Sequence, residues 1–274
     1  MKKIIVIASQ ELRLNFRNKW ILAISVLFGI LTLTVAYSGM VTAGYVGFQD
    51  FRRTGASIVN LVLYLVPIIA LMMGVYSFTS YRGYLDLLVT QPISRWKIII
   101  GKFAGSLASL ILATSAGFSI AGIIISIQVG SEGSWRFLLV VLLSMLLGAV
   151  FLSLAYLLVL ILKRRNSAIG LSLVLWFIFV IFYDLMVMAS TVYLSHGTLK
   201  STLLLGLLFN PVDLIRVTTL IIVGGESMFG AAGVIAVKTF GSMGALIALS
   251  FAVVIIWLLA PLMISLKIFG RQEI

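Results

Sequence analysis

Residues 76–103 read YSFTSYRGYLDLLVTQPISRWKIIIGKF. Long apolar runs flank this stretch on both sides, so its polar residues mark a place where the chain leaves one membrane span and enters the next. Arg82, Arg95, Lys97 and Lys102 place positive charge here, which assigns the stretch to the cytoplasmic side. Leu85, Leu87 and Leu88 supply an apolar face, Asp86 and Arg95 supply polar handles, and Pro92 cuts the segment off from the next apolar run. The expected structure is a short amphipathic helix across the cytoplasmic surface, a rigid contact for whatever supplies energy. An ordinary polar loop is the plain alternative.

Composition sets the class around this stretch. Of 274 residues, 62% are hydrophobic and 10% charged, with a mean hydropathy of +1.21. A soluble chain of this length cannot hide that much apolar surface, so the expectation is an all-α integral membrane protein surrounded by lipid. The net charge of +12 does not form one patch. Its basic residues sit at the ends of apolar runs, which marks membrane topology and argues against nucleic acid as a partner. The absence of cysteine excludes disulfides, thiolate metal sites and cysteine nucleophiles. Glu11, Arg13, Arg17 and Lys19 interrupt the start of the chain, so it does not read as a signal peptide.

Apolar runs place six spans, at 20–39, 58–78, 104–129, 137–162, 167–194 and 241–266. They form one transmembrane domain over 1–274, in which residues 1–19 precede the first span. There Ile5, Ala8, Leu12 and Phe16 make an apolar stripe, so an interfacial helix along the headgroups is expected; a disordered basic tail is the alternative. Residues 40–57 read as a glycine-containing loop, and Pro67 as a kink in the second span. Gly105, Ser109, Ala113, Gly117 and Ala121 recur every four residues in the third span. Small residues on one face let helix backbones approach closely in lipid. This face reads as a packing seam, within the protomer or between two copies, or else as a wall lining a cargo path. Glu132 and Arg136 mark a short outer loop, and Asp184 in the fifth span reads as a partly hydrated structural carboxylate.

Residues 195–240 are too interrupted to span. Asn210-Pro211, then Asp213 and Arg216, point to an outer-surface or re-entrant helical segment. Asn210 suits a turn, Pro211 a first helical turn, and Asp213 lies three residues from Arg216 on one face. A lateral plug sealing the outer end is the alternative to a device that transmits motion. Counting Lys and Arg by this topology puts 14 inside and 6 outside, together the 20 in the chain, which favours both termini inside.

The chemistry expected of the chain itself is sparse. No G-x-x-x-x-G-K-[ST] occurs, and Gly101-Lys102 has Trp96 where the first glycine belongs, so no phosphate cradle and no catalytic residue are expected. Met72, Met73, Met186, Met188 and His196 could suit a soft metal, but methionine more simply fills gaps between helices, and no metal site is assigned.

The run Arg82-Gly83-Tyr84-Leu85-Asp86-Leu87-Leu88-Val89-Thr90-Gln91-Pro92-Ile93-Ser94-Arg95, closing with Gly101-Lys102, resembles the cytoplasmic loop of type-2 ABC transporter permeases. Tyr81 and Tyr84 depart from the acid and the threonine usual there. The resemblance implies that Leu85, Asp86, Leu87, Leu88, Pro92 and Arg95 couple to an ABC ATPase subunit, with ATP and Mg held on that partner and no cofactor on this chain. Gly44–Phe48, Leu65–Leu71, Leu175–Phe177 and above all Leu208–Arg216 resemble more closely the membrane subunits of the ABC systems that mature nitrous oxide reductase. That implies an inner-membrane permease working with a second copy of itself and a periplasmic accessory subunit, and a role in assembling a copper–sulfur centre. Asn210, Pro211, Asp213 and Arg216 are then candidates for contact with the periplasmic partner. An exporter of a lipid, drug or other small molecule has the same fold and is the alternative. An ion-driven carrier would carry intramembrane carboxylates near the midplane, and only the off-centre Asp184 is offered.

Overall fold

The computed structural model describes residues 2–17, 23, 26–35, 48–79, 88–193, 202, 205–224 and 241–271, with backbone only for 48–56, 58, 120–122, 124–134, 191 and 224. Its main elements are helical: α1 (Lys2–Phe16), α2 (Val26–Val35), α3 (Phe48–Thr79), α4 (Arg95–Leu162), α5 (Arg165–Phe177), a π turn (Ile178–Phe182), α6 (Tyr183–Tyr193), α7 (Pro211–Gly224) and α8 (Met243–Arg271). Five stretches are long and apolar enough to cross a membrane: Val59–Thr79, Arg95–Ser119, Trp135–Leu162, Arg165–Ser190 and Met243–Arg271.

Helix α4 contains two of them. A straight helix of 68 residues would reach about 100 Å, against a hydrocarbon core of about 30 Å. Yet the rings of Phe118 and Phe137 lie 5.8 Å apart, and the Tyr156 hydroxyl donates to Ser106 Oγ at 3.1 Å. The chain therefore reverses between Ser119 and Trp135, giving two antiparallel arms, Arg95–Ser119 and Trp135–Leu162; residues 120–129 of the expected third span, 104–129, fall in the reversal. These arms and α3 form the core, with Leu63, Val66, Leu71, Leu147, Val150 and Phe151 buried among them. The Arg165–Ser190 and Met243–Arg271 spans sit at the periphery and leave most of their surface exposed.

Several boundaries differ from the expectation. Residues 48–57 are helical rather than a loop, because the lone Gly55 costs a helix about 1 kcal/mol and does not stop it. α4 starts at Arg95, well before Ala104, from an extended Ser94 at its N-cap. The segment around Arg136 is helical too. Of the expected first span only position 23 and Val26–Val35 fall among the described residues.

α1 departs most. It runs beside the first arm of α4 instead of lying across its end: Lys3 reaches Pro92, Ile7 meets Gly101, and Asn15 reaches Ser109. Ile7, Glu11 and Asn15 are its buried residues, whereas Ile5 and Phe16 of the apolar stripe face outward at 64% and 43% exposure. The reason is chemical. Glu11 and Asn15 find polar partners on α4, and the apolar stripe is left for lipid.

Candidate functional site

Among the described residues two clusters of polar side chains interrupt the apolar bundle, one at the end that carries the α3–α4 connection and one deeper in it. The first surrounds the stretch between α3 and α4. Leu85, Asp86 and Leu87 lie outside the described residues. Leu88 is buried, Pro92 is exposed, and Arg95 opens α4. The Lys3 ammonium donates to the Pro92 carbonyl at 3.0 Å. The Arg95 guanidinium donates to the carbonyls of Phe269 at 3.2 Å and Gly270 at 3.5 Å, in the last turn of α8. Carbonyls in a final turn lack helical partners and carry the negative end of the helix dipole, so a cation belongs there. The described part of the stretch is thus tied to both ends of the chain.

Beneath it lies a buried network. Glu11 Oε2 accepts from the Lys102 ammonium at 2.6 Å, and Oε1 accepts from Ser77 Oγ at 2.6 Å. Tyr156 Oη is 3.0 Å from Ser77 Oγ and donates to Ser106, while Asn15 donates to Ser106 and Ser109. The Glu11 and Lys102 side chains are 2% and 1% exposed. Lys102 is therefore no surface charge, contrary to its place in the basic count. Sequence reading missed this network. Glu11 registered only as an interruption; the usable signal was its spacing of four from Ile7 and Asn15, an acid on a helix otherwise rich in cations.

The small residues of the first α4 arm meet α1 and α2. A Cβ at Gly105 would stand 2.5 Å from the Ala8 carbonyl oxygen, and one at Gly117 would stand 2.5 Å from the Phe28 ring. Ser109 pairs with Asn15 and Ala113 is buried. The side chain of Ala121 lies outside the described residues.

The second cluster surrounds the start of α7. Asn210 Oδ1 accepts from the backbone N–H of Val212 at 2.9 Å and caps the helix, with Pro211 as its first residue. Its amide donates to the Phe179 carbonyl at 2.8 Å, inside the π turn. Phe179 in turn stands edge-on to Phe151 and Trp257. Arg216 bridges Asp184 at 2.5 Å and Asp213 at 3.4 Å, so Asp184 has a cation partner. Asn210, Pro211 and Asp213 are buried and the Arg216 side chain is 11% exposed, all turned into the bundle.

The depth of α7 is set by its partners. Phe179 lies about 21 Å along its span from Arg165, at ~1.5 Å per residue, near the middle of the bundle. At the other end of α7, Arg136 donates to the Val223 carbonyl at 3.0 Å, next to the start of the second α4 arm. No group of three His, Cys, Asp or Glu that could hold a metal ion occurs among the described residues.

Residues 5–274 match the family described as ABC-2 family transporter protein. The chain is 38% identical to the "Probable ABC transporter permease protein NosY" of Stutzerimonas stutzeri, covering 99% of both chains. It is 40% identical to the protein of the same description from Pseudomonas aeruginosa, covering 84% of both. With long apolar helices throughout and a match over nearly its whole length, the chain belongs to the ABC-2 family of transporter proteins, as a multi-pass membrane permease.

Proposed function

We propose that this permease lets a separate cytoplasmic ATPase drive maturation of the copper–sulfur centre of nitrous oxide reductase. The observation that supports it is similarity to two NosY permeases at 38% and 40% identity, over 99% and 84% of the chain. In this reading two copies form the membrane unit, in the inner membrane, each with six spans when 20–39 is counted. Both termini and the 80–95 stretch are cytoplasmic. ATP and Mg stay on the ATPase, which docks on the segment containing Leu85, Asp86, Leu87, Leu88, Pro92 and Arg95. α7 is a re-entrant half-helix, entering to the middle of the bilayer and returning. The cluster of Asn210, Pro211, Asp213 and Arg216 then acts by bracing α7, and motion reaches a periplasmic accessory subunit through the outer end of that helix.

A second reading, export of a lipid, drug or other small molecule, has one observation in its favour. A crevice of about 230 Å³ lies between α2 and α3, lined by Leu27, Phe28, Leu65, Ile68, Ile69 and Met72. Deleting the gene distinguishes the two. Maturation requires that nitrous oxide reductase purified from the deletion strain lack its copper–sulfur centre by metal content and visible spectrum, and regain it on complementation. A reductase with a complete centre in that strain rules the maturation role out and leaves the exporter.

A further inference from the structure

We propose that Glu11 is a positioning residue for energy coupling: one carboxylate that staples both arms of the coupling stretch to the N-terminal helix, so that the three move as one body. The inference rests on the reading of residues 80–95 as the ATPase-docking segment.

Ser77 stands just before the end of α3 at Thr79, on the arm leading into the stretch, and Lys102 stands in the opening turns of α4, on the arm leading out. Glu11 Oε2 accepts from Lys102 at 2.6 Å, and Oε1 accepts from Ser77 at 2.6 Å and from Ser106 at 3.4 Å, so one carboxylate holds both arms. A docking partner that pushes on a loop moves the spans behind it only if the loop's arms do not splay or slide. Apolar contact alone allows sliding, because it has no preferred direction. A desolvated ion pair does not, since opening it strands a charge where little water can reach. Such pairs add little net stability over apolar packing, and their best-attested use is to fix register.

The surroundings extend the grip. Tyr156 joins the second α4 arm to Ser77 and Ser106, and Asn15 carries the contact one turn further along α1. Gly101 and Gly105 make the approach close enough, with Ile7 and Ala8 standing where their Cβ atoms would be. Lys3 on Pro92 and Arg95 on α8 tie the rim of the same body.

The chain has no cysteine, so spin labels can be placed at Ser9 and Gln91, both exposed, without altering the background. The distance between them is measured in lipid nanodiscs, alone and with the partner ATPase, with and without ATP. The wild-type chain should give one narrow distance that ATP does not change. Glu11→Gln should still co-purify with the ATPase, but the distance should broaden, and stimulation of ATP hydrolysis by the permease should fall roughly two- to thirtyfold. Lys102→Arg keeps the cation and should retain the narrow distance, which Lys102→Met should lose. Ser77→Ala leaves the ion pair in place and should broaden a second distance, measured from Ser9 to a label at Thr79 at the end of α3, without impairing folding, so it decides the matter should Glu11→Gln not fold. Wild-type distances and stimulation in both Glu11→Gln and Ser77→Ala overturn the staple. A wild-type chain that does not bind the ATPase overturns the docking reading instead, while the distances in the isolated chain still decide whether Glu11 holds the arms together.

Discussion

Glycine carries different burdens along this chain, and two positions separate them. At Gly105 the Ala8 carbonyl oxygen stands 2.5 Å and Glu11 Cβ 2.6 Å from where a Cβ would be, whereas at Gly170 nothing lies within 4 Å. Backbone cannot retreat as a flexible side chain can, so Gly105→Ala should displace α1 and cost about 1–3 kcal/mol by overpacking. Gly170→Ala should be neutral or stabilising by up to about 1 kcal/mol through helix propensity. Thermal unfolding of both purified variants in one detergent checks the pair: Gly105→Ala should melt well below Gly170→Ala, and equal midpoints would show that α1 does not pack as described. The small-residue period was legible in sequence, because four-residue spacing needs no knowledge of the partner. What it packs against was not, since nothing local ties Gly105 to Ala8 or Gly117 to Phe28. Glu11 was illegible for the same reason. Its meaning depends on Lys102, 91 positions away.

Elements were legible in proportion to their length. Runs of twenty apolar residues announce themselves, and the spans at 137–162 and 241–266 fall within described helices at Trp135–Leu162 and, from Met243 onward, Met243–Arg271. α7 has only 14 residues, too few to distinguish a half-buried helix from a surface one by composition. Its burial comes from tertiary partners: Phe179 at one end, Arg136 at the other, and Ser250 of α8 receiving the Thr218 hydroxyl between them. The coupling stretch shows the same limit. Arg95 reads from sequence as a handle for a second protein, yet the structure spends its guanidinium on the end of α8. Arg95→Ala should therefore loosen the last turn of α8, because the Phe269 and Gly270 carbonyls lose a cationic donor. Hydrogen exchange resolved to peptides should show faster exchange near residues 266–271 with little change in the Trp135–Leu162 arm. Unchanged exchange at the end of α8 would mean that Arg95 faces outward in the membrane.

At the scale of the whole molecule, contacts fix which helix ends share a side. Lys3 on Pro92 places the start of α1 beside the α3–α4 connection, and Arg95 on Phe269 places the end of α8 there as well. The Arg136–Val223 contact lies at the opposite end of the second α4 arm. α8 begins at Met243, so Ser242 belongs to that far end too. In the reading proposed above, α7 makes no complete crossing. The chain is on the far side at Tyr193, past the Arg165–Ser190 span, and is on that side again at Ser242, from which α8 runs back to end beside Arg95. The topology is therefore testable at four points using single cysteines in the cysteine-free chain. In intact cells stripped of the outer membrane, a membrane-impermeant maleimide should label Glu132→Cys and Ser242→Cys. Gln91→Cys and Arg164→Cys should react only after lysis. Labelling of Ser242→Cys that required lysis would make α7 a full span and overturn the half-helix.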